Sequence, residues 1–200
     1  MNKKSNFFII GYLLFLISSV LISCDDCGGS YSKYNFTSFA WDTSSIELTD
    51  NYYQSTAISN ETVNFDKFAI KIEPVLEYYS SNRKFNLLQT VYACSPVDPT
   101  TDDKITNIEI ITNTNFNATH SAGSDISNYF DVGLIGNTFD IVSVAQFVNG
   151  EYKELHHFFF LLKNAPETDG EMSFTVKITL DGKTLDYVEF TTDTITITNN

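Results

Sequence analysis

A period-two alternation of apolar and polar positions is clearest near the C-terminus. Phe174, Val176, Ile178 and Leu180 alternate with Thr175, Lys177 and Thr179, which predicts a strand with one face in a core. Asp181-Gly182 then marks a tight turn into a second strand over residues 185–191, and residues 195–198 predict a last one. Upstream, Phe68, Ile70 and Ile72 face one way, with Lys71 and Glu73 facing the other. Pro74 should end ladder pairing there or place that strand at an edge. Residues 155–162 (LHHFFFLL) show no polar face and predict a buried central strand.

Shorter signals fill the remainder. Residues 34–37 and 39–41 each alternate, with a bulge expected between them, and residues 46–49 precede an Asp50-Asn51 turn. Residues 87–94 and 105–112 predict further strands. Residues 125–130 predict one helical turn with Ser124 as its N-cap. A strand is expected over residues 139–147, with a hairpin at Asn149-Gly150. Eight to ten short strands with scarcely any helix give an all-β class, specifically a single antiparallel β-sandwich, immunoglobulin-like or a related Greek-key, with a barrel as the competing architecture. No internal repeat appears, so one domain is expected over residues 31–200.

Composition agrees with this pattern. Twenty-two threonines and eighteen asparagines stand against eight alanines, the reverse of a helical bundle. The formal charge is −13 and Arg83 is the single arginine. Such a chain lacks the basic footprint of a nucleic-acid binder and the guanidinium forks that hold phosphate or carboxylate substrates.

The N-terminus carries a different signal. Lys3 and Lys4 precede sixteen uncharged residues, 7–22, which is short of the roughly 20 that a spanning helix needs. This is the layout of an export signal. Leu21-Ile22-Ser23-Cys24 resembles the bacterial lipobox, in which the cysteine is diacylated and the chain is cut before it. The resemblance implies a cleaved signal peptide, residues 1–23, a tether, residues 24–30, and a membrane partnership through lipid on Cys24. Two or three acyl chains anchor stably where one is marginal. Loss of Lys3 and Lys4 takes the formal charge from −13 to −15, so the body should stand off an anionic bilayer.

Asp25 and Asp26, directly after the lipid cysteine, resemble the surface-export signal of Bacteroidota lipoproteins. That implies the outer membrane, with the cell surface favoured over the periplasmic face. Tyr92-Ala93-Cys94-Ser95-Pro96, the strand entry at residues 102–111, Phe116-Asn117 and Ala122-Gly123-Ser124-Asp125-Ile126 are similar to an uncharacterised family of Bacteroidota lipoproteins. The similarity implies no activity for any residue.

With Cys24 assigned to lipid, Cys27 and Cys94 form an even pair in an oxidising compartment, and a disulfide is the leading reading. It would contribute roughly 4 kcal/mol by chain entropy. A buried thiol is the alternative; nothing around Cys94 resembles a cysteine-protease signature.

Other candidate chemistry is sparse. His156 and His157 point to opposite faces of a strand and His120 sits in a polar loop, so structural roles are expected and no metal is assigned. Asp98, Asp102 and Asp103 share one loop and form a weak Ca²⁺ candidate through hard oxygen ligands, against a solvated acidic patch. No other cofactor is expected. Trp41 and the pairs Tyr52-Tyr53 and Tyr78-Tyr79 are the candidate ligand-binding aromatics, set against the simpler reading that they cover the core. Asp193-Thr194-Ile195 resembles the short Bacteroidota O-glycosylation motif.

The leading expectation is a noncatalytic, lipid-anchored envelope protein acting in recognition or assembly, with an unknown protein or glycan partner. A glycan-binding accessory lipoprotein and a hydrolase with a dispersed carboxylate site are the two alternatives.

Overall fold

β9 (Phe158–Leu162) is five apolar residues long and every one of them is buried. A strand without a polar face needs cover on both sides, and it takes the middle of a sheet. β4 (Phe68–Ser80) pairs with it antiparallel through Ala69–Ile72, and β7 (Phe130–Ile135) pairs along its other edge. Outward from these lie β1 (Ser32–Leu48) and β2 (Tyr53–Ala57) on one side and β8 (Phe139–Ser143) on the other. The order is β2-β1-β4-β9-β7-β8, with β5 (Thr100–Thr101) attached to β1. The computed structural model describes residues 32–48, 53–80, 99–136, 138–150, 155 and 157–199. All but Ser32 and Ser80 belong to one unit, Lys33–Tyr79 with Pro99–Asn200.

A second sheet, β12-β11-β6, comprises β6 (Lys104–Thr112), β11 (Phe174–Asp181) and β12 (Tyr187–Thr191). Its inner residues Val176, Ile178 and Phe174 join Phe158, Phe160, Phe130 and Phe68 in one core. The Phe174 ring lies 5.5 Å from Phe68 and 5.6 Å from Phe130, so the two inner faces interdigitate as in a sandwich. At one margin Trp41 of β1 stacks on Phe190 of β12, 5.0 Å apart and 7° from parallel. A third, small sheet joins β3 (Thr62–Asn64), β13 (Ile195–Thr198) and β10 (Gly170–Met172).

The other face of β9 is also covered. Phe159 and Leu161 cluster with Ile46 and Ala69, and Tyr53, Ile135 and Phe139 pack against them. Tyr53 belongs to one edge strand and Phe139 to the opposite one, yet their rings are 5.2 Å apart. Five strand steps of about 4.8 Å would separate those edges by about 24 Å in a flat sheet. The large sheet therefore curls until its margins meet over Phe159. Gly133 of β7 makes this approach feasible, because a Cβ there would fall on the Phe139 ring.

The all-β class with little helix holds, and several details depart from expectation. Two pairings are parallel, β1 with β5 and β13 with β3, so the sheets are not purely antiparallel. The segments near 34–37, 39–41 and 46–48 merge into β1, whose buried positions shift from Tyr34 and Phe36 to Phe39, the phase change that a bulge produces. The strand expected through Phe147 stops at Ser143, where α1 (Val144–Val148) begins. Ser143 and Gln146 form a reciprocal capping box, and Asn149 is the C-cap rather than a hairpin corner. The predicted helical turn is a 3-10 turn, Ser127–Tyr129, whose first N–H bonds to Asp125 Oδ1 instead of being capped by Ser124. Pairing of β4 with β9 stops at Ile72, before Pro74 removes a donor, although β4 itself continues beside β1. The strand expected over residues 87–94 lies outside the described residues.

Candidate functional site

The acidic loop is a structural clamp in the residues that can be described. Asp103 is 5% exposed. Its Oδ2 accepts from the Phe36 amide at 2.9 Å and its Oδ1 from the Lys183 amide at 3.1 Å. One carboxylate thus ties β1 to the turn between β11 and β12. Gly182 of that turn leaves the space, since a Cβ there would lie 3.1 Å from the Asp103 carboxyl carbon and 3.0 Å from the Leu185 carbonyl oxygen. Asp102 faces outward to Lys33 at 2.7 Å and Lys183 at 3.5 Å. The hydrogen bond from Lys33 holds the Asp102 carboxyl below its ordinary value, and the same bond raises Lys33. Glu47 and Lys67 form a similar surface pair at 2.7 Å, with Glu47 lowered and Lys67 raised. Asp98 lies outside the described residues, and among those described no group of three His, Cys, Asp or Glu side chains converges on a metal position.

The histidines are embedded in local hydrogen bonding. His120 Nδ1 lies 3.0 Å from Asn117 Oδ1, and its ring meets the edge of Tyr129 at 5.0 Å. His157 Nε2 lies 3.1 Å from the Tyr53 hydroxyl, among Tyr53 and Phe159 at the seam of the curled sheet. His156, Tyr52, Cys24, Cys27 and Cys94 lie outside the described residues.

The remaining aromatic candidates do not form one patch. Trp41 is half-buried on Phe190, Tyr53 is half-buried in the seam, and Tyr79 is half-buried with its hydroxyl unpaired. Tyr78 is 55% exposed and tilts against the buried Tyr34. A separate cleft of about 600 Å³ runs between β6 and the end of α1. Phe36, Phe147 and Leu155 form its floor, and Thr101, Lys104 and Asn149 stand at its rim. Half-buried Ile105 and Val148 also line it, so the exposed lining is more apolar than polar.

The outer face of the second sheet is more open. Antiparallel register places Asn107, Thr179 and Tyr187 in one row, then Glu109, Lys177 and Glu189, then Ile111, Thr175 and Thr191. All nine retain solvent exposure. Lys177 Nζ lies 5.4 Å from the centre of the Tyr187 ring, which is itself 56% exposed. Thr175 Oγ1 bonds to Asn113 Oδ1 at 3.1 Å and lies 3.0 Å from Thr191 Oγ1. Alternation along β11 foretold that Thr175, Lys177 and Thr179 face out. The grouping with Tyr187, Glu109 and Glu189 depends on register across three strands, which no single stretch of sequence carries.

Residues 66–191 match the model of a domain of unknown function, DUF5034. The chain belongs to this family. The matched span of the DUF5034 chain contains the whole of β6, β11 and β12. No curated protein matches it in sequence. Among solved structures, it is similar to the C-terminal domain of the Streptococcus agalactiae AgI/II polypeptide BspA, at 12% identity and a TM-score of 0.27. That match covers 80% of this chain and 49% of the other. A structure named BspA_C_WT gives the same identity and TM-score, with 50% of its length covered. The DUF5034 chain spans about half the length of these structures.

Proposed function

We propose that this DUF5034 chain is a noncatalytic, lipid-anchored protein of the bacterial cell envelope, held in the outer membrane through Cys24 and serving recognition or an envelope assembly. The observation that carries the recognition role is the open face of the second sheet, where three in-register rows of side chains meet solvent. The anchor rests on Leu21-Ile22-Ser23-Cys24 after a basic start and an apolar run. The structural roles of Asp103, His120 and His157 favour binding over chemistry, because each is already committed to fixing backbone or neighbouring side chains.

A second reading, a glycan-binding accessory lipoprotein, draws support from the exposed Tyr187 ring beside Lys177. The anchor is tested by labelling cells with a palmitate analogue. Wild type should take up label and Cys24→Ala should not; equal labelling would reject the anchor. Protease shaving of intact cells should degrade the wild type, and full protection would defeat the surface location.

A further inference from the structure

We infer that the outward face of β6, β11 and β12 is a docking platform for a neutral polysaccharide chain, with the Tyr187 ring as its stacking element. This rests on the recognition reading above and names the ligand class for that face.

The argument is one of charge and bonding capacity. Glu109, Lys177 and Glu189 lie side by side across three strands. Lys177 leans over Tyr187, and among the described residues neither Glu109 nor Glu189 takes part in an ion pair, so both keep acceptor oxygens for a ligand. A polyanion would meet two carboxylates on a body that is already strongly acidic. A polycation would be attracted by the two carboxylates and opposed by Lys177 between them. Hydroxyl groups suit both: each donates to a carboxylate and accepts from an ammonium.

Tyr187 supplies the apolar half of the platform. Its ring is 56% exposed at the end of the row that includes Asn107, and Lys177 Nζ lies 5.4 Å from its centre. A rigid aromatic with two rotatable side-chain bonds presents contact area at low entropic cost. A sugar ring offers aliphatic C–H groups on its faces and hydroxyls around its rim. Stacked on Tyr187, it would bring those hydroxyls toward Glu189 and Asn107. Strand spacing of about 4.8 Å and a repeat of about 6.8 Å along each strand make the rows of side chains periodic. An extended polymer can lie across them without any pocket.

The test uses the full lipidated chain in detergent, passed over immobilised mannan, arabinoxylan, galactan and β-glucan, with polygalacturonate as the anionic comparison. Retention on one or more neutral polymers is expected. Tyr187→Ala should weaken that retention by about tenfold or more, while Tyr187→Phe should stay within about threefold, since it keeps the stacking face. Trp41 emission verifies that each variant is folded. No retention on any neutral polymer, or retention on polygalacturonate alone, would overturn the ligand class. Neutral-polymer binding that Tyr187→Ala leaves unchanged would overturn the site. The palmitate and shaving experiments report on the anchor separately, so neither result can be mistaken for failure of the envelope reading.

Discussion

Tyr53 and Phe139 stand on opposite margins of one six-strand path, and their rings are 5.2 Å apart. Both rest against the same central residue, Phe159, at 5.5 Å and 6.2 Å. The curl of the sheet is therefore held by aromatic contact across a seam. Gly133 is the residue that lets Phe139 lie down over β7. Gly133→Ala should lower stability by about 1–3 kcal/mol through overpacking. Gly170→Ala, where a Cβ would meet nothing within 4 Å, should leave it unchanged or slightly raised. Urea denaturation of the two variants side by side checks this.

Asp103 predicts a loss of a different kind. Asp103→Ala would remove the acceptor for the Phe36 and Lys183 amides together. An orphaned buried donor costs about 1–3 kcal/mol, so the urea midpoint should fall well below that of wild type. Asp103→Asn keeps one acceptor oxygen and should fall between them. An Asp103→Ala midpoint equal to wild type would show that the clamp is dispensable.

The surface pairs contribute to the response to pH. Hydrogen bonding from Lys33 depresses Asp102 below its ordinary 3.8. Its contribution is then complete above the ordinary value and is lost as pH falls through the depressed one. Lys33 is raised above 10.5, so its contribution is complete below 10.5 and is lost as pH rises through the raised value. Comparison of wild type with Asp102→Asn should show a stability difference between those limits that closes at strongly acidic pH. Added salt should shrink it, because the pair is exposed. A difference that persists in strong acid would rule out the ion pair as its cause.

Trp41 is the chain's single tryptophan, and it joins the two larger sheets by stacking on Phe190. Its fluorescence is accordingly a local report on that junction. Phe190→Ala should shift the emission and destabilise the protein by about 3 kcal/mol or more. A double-mutant cycle with Trp41→Ala should return a coupling of about 0.5–1.5 kcal/mol. Zero coupling would mean that the stacking contributes nothing beyond burial.

The strands most legible in the sequence are those whose local pattern and tertiary burial agree. β11 has buried alternate residues from Phe174 to Leu180, as its alternation requires, and β9 is central because nothing in it is polar. β13 matches the predicted residues 195–198. Asn149-Gly150 misled because it satisfies a hairpin signal and a helix end equally well; the Ser143 and Gln146 pair three residues apart was the cue that separates them. Tyr53 and Phe139 meet, and Glu109, Lys177 and Glu189 line up, only through curl and register. Those depend on residues far apart in the chain. The candidate aromatics chosen by adjacency in sequence accordingly scatter over the fold, while Tyr187 stands apart from them on the outer face of the second sheet.

The seam between β2 and β8 has one more consequence. An exposed strand margin is a ready template on which a neighbouring molecule can add its own strand, the first step of edge-to-edge aggregation. Here the margins are turned toward each other and plugged by rings, with no ladder joining them among the described residues. Opening the seam, as Gly133→Ala would tend to do, should unmask two sticky margins at once, so self-association would accompany lost stability in that variant.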